Sequence, residues 1–376
     1  MRIVFVRLRS LGDIVLMTPV LAAAKRKPDS VIGVVCETPF DEVLQGNPDV
    51  DLLISASRQK AWLSRIRVIR EVRSFRPDLV VDLHGGTTSA LITGLSGAPR
   101  RVGYSTARNS FFYSEVTPDT RKVWGRERIH TVEHQLAPLK HLGFPVEPIP
   151  PLRVPLDQGD VRFVLELLIR NGLFSADEIQ SSDSNSSSKD RSRASCDPAG
   201  EGRQGPSING AVFAAQFPFV LVHPAAAFET KQWPVDRFGE LIQRLRKDGL
   251  RVVTTCGPGE AHHLEKLSQI VDEGVKFVPP LSLARFVALA SLCRVYVGND
   301  TGTTHIAAAL EKPIVVVFGS SDSTVWYPWG VDFELVKSDL PCIPCPGYSC
   351  SQYDEPVCIQ TVPVDRVYAA VKKLME

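Results

Sequence analysis

Several protein classes are excluded by what this chain lacks. No run reaches the ~18 consecutive apolar residues that a membrane-crossing helix needs, so no transmembrane segment is expected. There is no excess charge of either sign: 43 Lys+Arg against 42 Asp+Glu leave +1. That balance excludes a surface built to coat nucleic acid and confines any polyanion site to a local patch. Eight cysteines in 376 residues do not make a secreted disulfide scaffold, and a cytoplasmic protein is expected. The first strand-to-helix turn, Arg7-Leu-Arg-Ser-Leu-Gly12-Asp13, lacks the Gly-x-Gly-x-x-Gly spacing that brings a backbone against a dinucleotide pyrophosphate. An NAD or FAD enzyme is therefore not expected.

What is present is a rhythm. Short apolar runs at 3–8, 31–36, 52–55 and 79–83 alternate with helical patterns starting at Asp13, Thr38, Lys60 and Thr87. Apolar strands separated by helices imply a parallel sheet covered on both faces. The stretch 14–24 follows Arg2, Arg7 and Arg9 and is apolar enough to imitate a leader. The strand pattern before it and the Gly12-Asp13 turn favour the start of an α/β domain instead. The rhythm stops at 175–210, a Ser/Gly-rich segment with too little apolar surface to offset its ordering entropy. It resumes with runs at 219–222, 251–255, 295–297 and 313–318, alternating with helices from Pro234, Gly259, Ser282 and Thr301. The expected class is α/β, with Rossmann-like parallel-sheet domains at 1–174 and 211–376 joined by a flexible linker or insertion at 175–210. Ligands belong in the cleft between the carboxyl ends of the two sheets.

Candidate residues cluster at strand ends. Asp13 is either half of a capping box with Ser10 or a general base facing the cleft. Arg58, Lys60, Arg65, Arg67, Arg70, Arg73 and Arg76 crowd one segment opposed by Glu71. There Trp62, Ile66, Ile69 and Val72 or Arg73 follow helical spacing and are expected to pack, leaving a positive face either solvated or docking an anionic acceptor. Arg100, Arg101, Arg108, Arg121, Lys122, Arg126 and Arg128 would extend that surface if the fold gathers them. His84, in Asp82-Leu-His84-Gly85-Gly86, is either a structural histidine or a contact for an anionic group.

In the second half, Lys231 follows the strand ending at His223 and suits a phosphate. Glu260, after Cys256-Gly-Pro-Gly, is either a first-turn helix residue or a hydroxyl acceptor. Asp300-Thr301-Gly302-Thr303-Thr304-His305 leaves a strand and opens a helix whose N-terminal N–H groups suit a diphosphate.

Taken together, these segments resemble glycosyltransferase family nine, the heptosyltransferases of lipopolysaccharide core assembly. The resemblance is carried by Ser10-Leu-Gly12-Asp13 with Thr18-Pro19, His223-Pro224 with Lys231 and Trp233-Pro234, and Gly298-Asn-Asp300-Thr301-Gly302 with His305 and Ala307-Ala308. Lys312-Pro313, Phe318-Gly319 and Trp326-x-Pro328 continue it. It implies a GT-B fold and an inverting, metal-independent transfer from ADP-heptose to a lipopolysaccharide inner-core acceptor at the inner face of the cytoplasmic membrane. By position it implies Asp13 as base and Lys231 as the residue neutralising the diphosphate. His223, Glu260, Asp300, Thr301, Gly302, Thr303 and His305 become donor contacts, with Gly12, Arg65, Arg67 and His84 on the acceptor side. Thr303-Thr304 departs from the apolar or Pro residues frequent there in the family. An epimerase or hydrolase on the same architecture, or a non-catalytic sugar-nucleotide binder, is the alternative.

The C-terminal tail spaces Cys342-x2-Cys345-x4-Cys350-x7-Cys358, resembling the heptosyltransferase II-like branch of the family. No catalytic metal is expected. The four thiols admit three states, which are a structural metal, disulfides or reduced cysteines. Cys36, Cys196, Cys256 and Cys293 are scattered and read as packing or linker residues.

Overall fold

A computed structural model describes all residues except 58, 60, 108, 179–216, 273, 346 and 347. Arg58, Lys60, Arg108, Cys196 and most of the 175–210 segment therefore lie outside the described residues.

The first half builds a six-stranded sheet from β1 (Arg2–Val6), β2 (Val31–Glu37), β3 (Leu52–Ala56), β4 (Leu79–Asp82), β5 (Arg100–Tyr104) and β6 (Glu115–Thr117). Its order is β3-β2-β1-β4-β5-β6, and every pairing is parallel. The second half builds β7 (Phe219–His223), β8 (Arg251–Thr254), β9 (Val295–Asn299), β10 (Ile314–Val317) and β11 (Phe333–Val336). They order as β11-β10-β9-β7-β8, again all parallel. Strands such as β1, β7 and β10 are buried almost throughout because helices cover both faces of each sheet.

Helix starts follow their caps. Ser282 accepts a hydrogen bond from the Arg285 N–H and opens the Leu283–Leu292 helix. Pro234, expected as a first helical residue, is instead the cap of Val235–Lys247. The helix expected from Thr38 shrinks to a single 3-10 turn, Phe40–Leu44, because Gly46 adopts a φ of +79° and Pro48 bars helical backbone at Asn47.

One apolar cluster runs through both halves, from Ile3 and Ile14 to Leu289, Ile306 and Phe318. The Gln158–Arg170 helix of the first half packs against Leu283–Leu292 of the second half. Phe174 places its ring edge-on to Phe217 and Phe219, at 5.3 and 5.8 Å. The two sheets thus share a continuous apolar seam.

Candidate active site

The two switch points meet face to face. Helix Leu11–Leu16 follows β1, and helix Gly302–Ala309 follows β9; their N-terminal turns abut across the cleft. The fit rests on two missing side chains. A Cβ on Gly12 would lie 2.8 Å from His305 Cδ2, and one on Gly302 would lie 2.6 Å from Leu11 Cβ and Cγ. Neither glycine has a left-handed backbone, so it is the neighbour on the opposite wall that demands the absence of a side chain.

Asp13 sits at this junction. Its Oδ2 accepts from the Ser10 N–H at 3.2 Å and the Ser10 hydroxyl at 3.0 Å, so the cap expected from the sequence forms. Its Oδ1 is ion-paired with Arg7. Burial pushes the Asp13 pKa up, but the Arg7 charge and the hydrogen bonds from Arg7 and Ser10 outweigh it and hold the carboxyl below its ordinary value. The side chain is therefore an anion at neutral pH, and it lines the cleft as well as capping the helix.

A cavity of about 640 Å³ opens on one side of Asp13, bounded by Gly12, His223, Lys231, Glu260, Asp300, Thr301, Gly302, Thr303 and His305. Its remaining wall is mostly apolar, with Phe40, Ala225, Phe228, Leu281 and Phe286. Lys231 Nζ binds buried Asp300 Oδ2 at 2.8 Å. An ammonium has three donors, so this pair leaves Lys231 able to serve an anion in the cavity. Glu260 caps the Ala261–Ile270 helix and folds its Oε2 onto the Gly257 N–H at 2.8 Å, while standing 3.8 Å from His223 Nε2. Thr303 joins a hydroxyl chain with Tyr296 (2.9 Å) and Thr301 (2.8 Å). Thr304 turns away to the Asn299 carbonyl at 2.6 Å, so only Thr303 of that pair meets the cavity. His305 is fully enclosed, and burial drives its pKa down to about 4, leaving a neutral imidazole whose Nδ1 has no partner.

A second cavity, of about 700 Å³, opens on the other side of Asp13; its lining includes the cations Arg7, Arg121 and Arg128, the carboxylates Glu127 and Asp322, and Thr120, His134 and Trp326. Asp13 and Trp326 border both spaces. The sequence singled out neither Arg7 nor Trp326 as a site residue. Arg7 carried no signal beyond being a cation at the end of a strand, and Trp326 only its place in the family-like Trp-x-Pro.

Other candidates do not converge here. Arg67 pairs with Glu71 at 3.1 Å and donates to the Ser55 carbonyl; Arg65 lines a separate cavity of about 240 Å³ with Arg9 and Thr88. Neither borders the two spaces beside Asp13. Arg100 and Arg126 are paired with Glu115 and Glu133, and Arg101 is folded onto the Ala98 and Phe112 carbonyls. His84 sits on the β4 loop, its pKa lowered by burial and by the Arg7 charge. In the tail, Cys342, Cys345, Cys350 and Cys358 are unpaired, against the disulfide alternative. Among the described residues, no three His, Cys, Asp or Glu side chains are grouped to hold a metal.

Residues 65–354 match the profile of glycosyltransferase family 9 (heptosyltransferase). The chain belongs to glycosyltransferase family 9. Among family members, lipopolysaccharide heptosyltransferase 3 of Escherichia coli is 25% identical over 380 residues, covering 97% of this chain and 96% of that protein. A glycosyl transferase family 9 structure from Veillonella parvula superposes with a TM-score of 0.76 at 19% identity, covering 100% of this chain and 97% of that one. The E. coli ADP-heptose lps heptosyltransferase II gives 0.74 at 17% identity, covering 100% and 98%. The family's GT-B fold is thus the fold of this chain, and family membership makes it a glycosyltransferase.

Proposed function

We propose that this chain transfers a heptose from ADP-heptose to the lipopolysaccharide inner core, with inversion and without a catalytic metal, at the inner face of the cytoplasmic membrane. The observation that carries this reading is the position of Asp13, an ionised carboxylate on the wall between two cavities. The space beside Lys231 suits the donor. There the ammonium and the Gly302–Ala309 helix N-terminus supply positive potential where the diphosphate leaves. The space beside Arg7, Arg121 and Arg128 suits an acceptor sugar bearing carboxylate or phosphate groups.

The reaction is a single displacement. The acceptor hydroxyl oxygen bonds to the anomeric carbon, the bond from that carbon to the diphosphate breaks, and ADP departs. The hydroxyl proton passes to Asp13, which an acceptor can free from Arg7 by offering Arg7 an anion of its own. Glu260, on the opposite rim, suits the hydroxyls of the nucleotide ribose, and the Thr301–Thr303 hydroxyl chain suits the sugar.

The test is ADP release from ADP-heptose by purified protein, with and without a Kdo- or heptose-bearing acceptor. Acceptor-dependent release is expected. Release without acceptor would favour a hydrolase or epimerase, and donor binding with no release under either condition would favour a non-catalytic binder.

A further inference from the structure

The Ala61–Phe75 helix packs only in part as its sequence pattern suggests: Val72 and Ile69 meet the sheet, Trp62 and Ile66 do not. Its inward face is Val68 and Val72, both fully buried against Val4, Val6 and Val80 of the first sheet. Trp62 and Ile66, expected to pack, point outward instead: Trp62 is 65% exposed, Leu63 46% and Ile66 41%. At 100° per residue, Trp62, Ile66, Arg70 and Arg73 fall in one solvent-facing stripe, with Leu63 beside them and Arg65 and Arg67 on its two margins. Four arginines are opposed by Glu71 alone on this helix, and Glu71 is taken by Arg67.

We propose that this outward face docks the protein on an anionic lipid surface, with Trp62, Leu63 and Ile66 entering the interface and the arginines meeting lipid phosphates. This deepens the functional reading above, because it supplies the surface from which a lipid-borne acceptor reaches Asp13. An apolar patch on one side of a soluble fold, rimmed by cations of one sign, is the signature of an interfacial helix. Long arginine side chains extend outward from such a stripe toward headgroup phosphates. The placement also fits. The helix begins just beyond the carboxyl end of β3, at the same sheet edge as Asp13, and Arg65 shares its small cavity with Leu8 and Arg9 of the loop leading to Asp13. A second exposed ring lies on this rim. Asn109 Nδ2 binds Thr87 Oγ1 at 3.2 Å, next to Thr88 of that cavity, and two residues on Phe111 is 76% exposed. No described helix is long and apolar enough to cross a membrane, so attachment through these elements would be peripheral.

The experiment is sedimentation of the full chain with vesicles of phosphatidylethanolamine and phosphatidylglycerol, compared with vesicles of phosphatidylcholine alone. Binding to the anionic vesicles is expected to be at least about tenfold tighter and to weaken with salt. The double variant Trp62→Ser, Ile66→Ser is expected to lose at least about tenfold in vesicle binding. Its Tm and its turnover of a lipid-free acceptor should stay unchanged, because both side chains are outside the core. Arg65→Gln with Arg70→Gln should flatten the salt dependence. Wild-type binding by the Trp62, Ile66 variant, or equal binding to both vesicle types, would overturn the proposal. So would concentration-dependent self-association that the same variant abolishes, since a second copy would then cover this face. Vesicle binding requires no turnover, so failure of heptose transfer would sink the functional reading without deciding this one.

Discussion

At the scale of single residues, the chemistry of the cleft turns on how Arg7 and burial compete for the Asp13 proton. Asp13→Asn keeps the size of the side chain and removes its basicity. Turnover is expected to fall at least a hundredfold, about 3 kcal/mol of transition-state stabilisation, with ADP affinity within about threefold of wild type by calorimetry. Proportional losses of turnover and affinity would mean Asp13 holds the donor instead. The Arg7 pairing makes a second expectation directional. In the intact protein Asp13 stays ionised far into acid, and the neighbouring His84 and His134 are both held below the ordinary imidazole value by burial. The profile of kcat/KM should therefore show no carboxylate limb above about pH 5. Arg7→Met leaves burial opposed only by the Ser10 hydrogen bonds, so the Asp13 pKa should rise and an acid limb should move up toward neutral pH. An unmoved profile would remove Arg7 from control of the base.

At the scale of elements, the meeting of helices Leu11–Leu16 and Gly302–Ala309 explains why two glycines stand at the cleft. Alanine is the better helix former by about 1 kcal/mol and keeps the N–H donor at position 302. Gly302→Ala should nonetheless cut turnover about tenfold or more while preserving ADP binding, because its Cβ overlaps Leu11 and spreads the two walls. Adding Leu11→Ala, which removes two of the three overlapping atoms, should restore part of the loss. A drop in ADP affinity that matches the drop in turnover would point to a direct donor contact instead. These same elements show how much the sequence discloses. Strands β1 to β4 and β7 to β10 are legible as apolar runs, and Asp13, Lys231 and Asp300 are legible as polar residues at strand ends. Strand β5 opens with Arg100 and Arg101 and β6 has three residues, so neither offers an apolar run to read. On Ala61–Phe75 the packing expected of Val72 and Ile69 forms and that of Trp62 and Ile66 does not, because helical spacing identifies a stripe but not how far round the helix the sheet reaches. Trp62 competes with Val68 and Val72, and two small β-branched residues fit the narrow groove over β1 and β4. The Arg7–Asp13 pair and the cavity beyond it arise from tertiary approach, for which no local spacing exists.

At the scale of the whole molecule, the seam between the halves stores uncharged imidazoles. His130 caps the Thr131–His141 helix and its Nε2 meets the Tyr327 carbonyl across the seam at 2.9 Å; burial drives its pKa down to about 3, and that of His305 to about 4. Both lie below the ordinary value near 6.5, so below that pH the unfolded chain binds protons that the native one does not. Stability is then fully present above about pH 6.5 and falls as the pH drops toward 4. Each imidazole accounts for about 2 kcal/mol by pH 5, so calorimetry should show Tm lower by several degrees at pH 5 than at pH 7. A flat profile would mean these rings are already solvated in the folded state. The glycine notch between the halves carries a consequence for the history of such chains. Because the side chain absent at 302 makes room for the one present at 11, and that absent at 12 for the ring at 305, these positions are bound to change as pairs. A related sequence with alanine at the position of Gly302 should carry a smaller residue opposite it, at the position of Leu11.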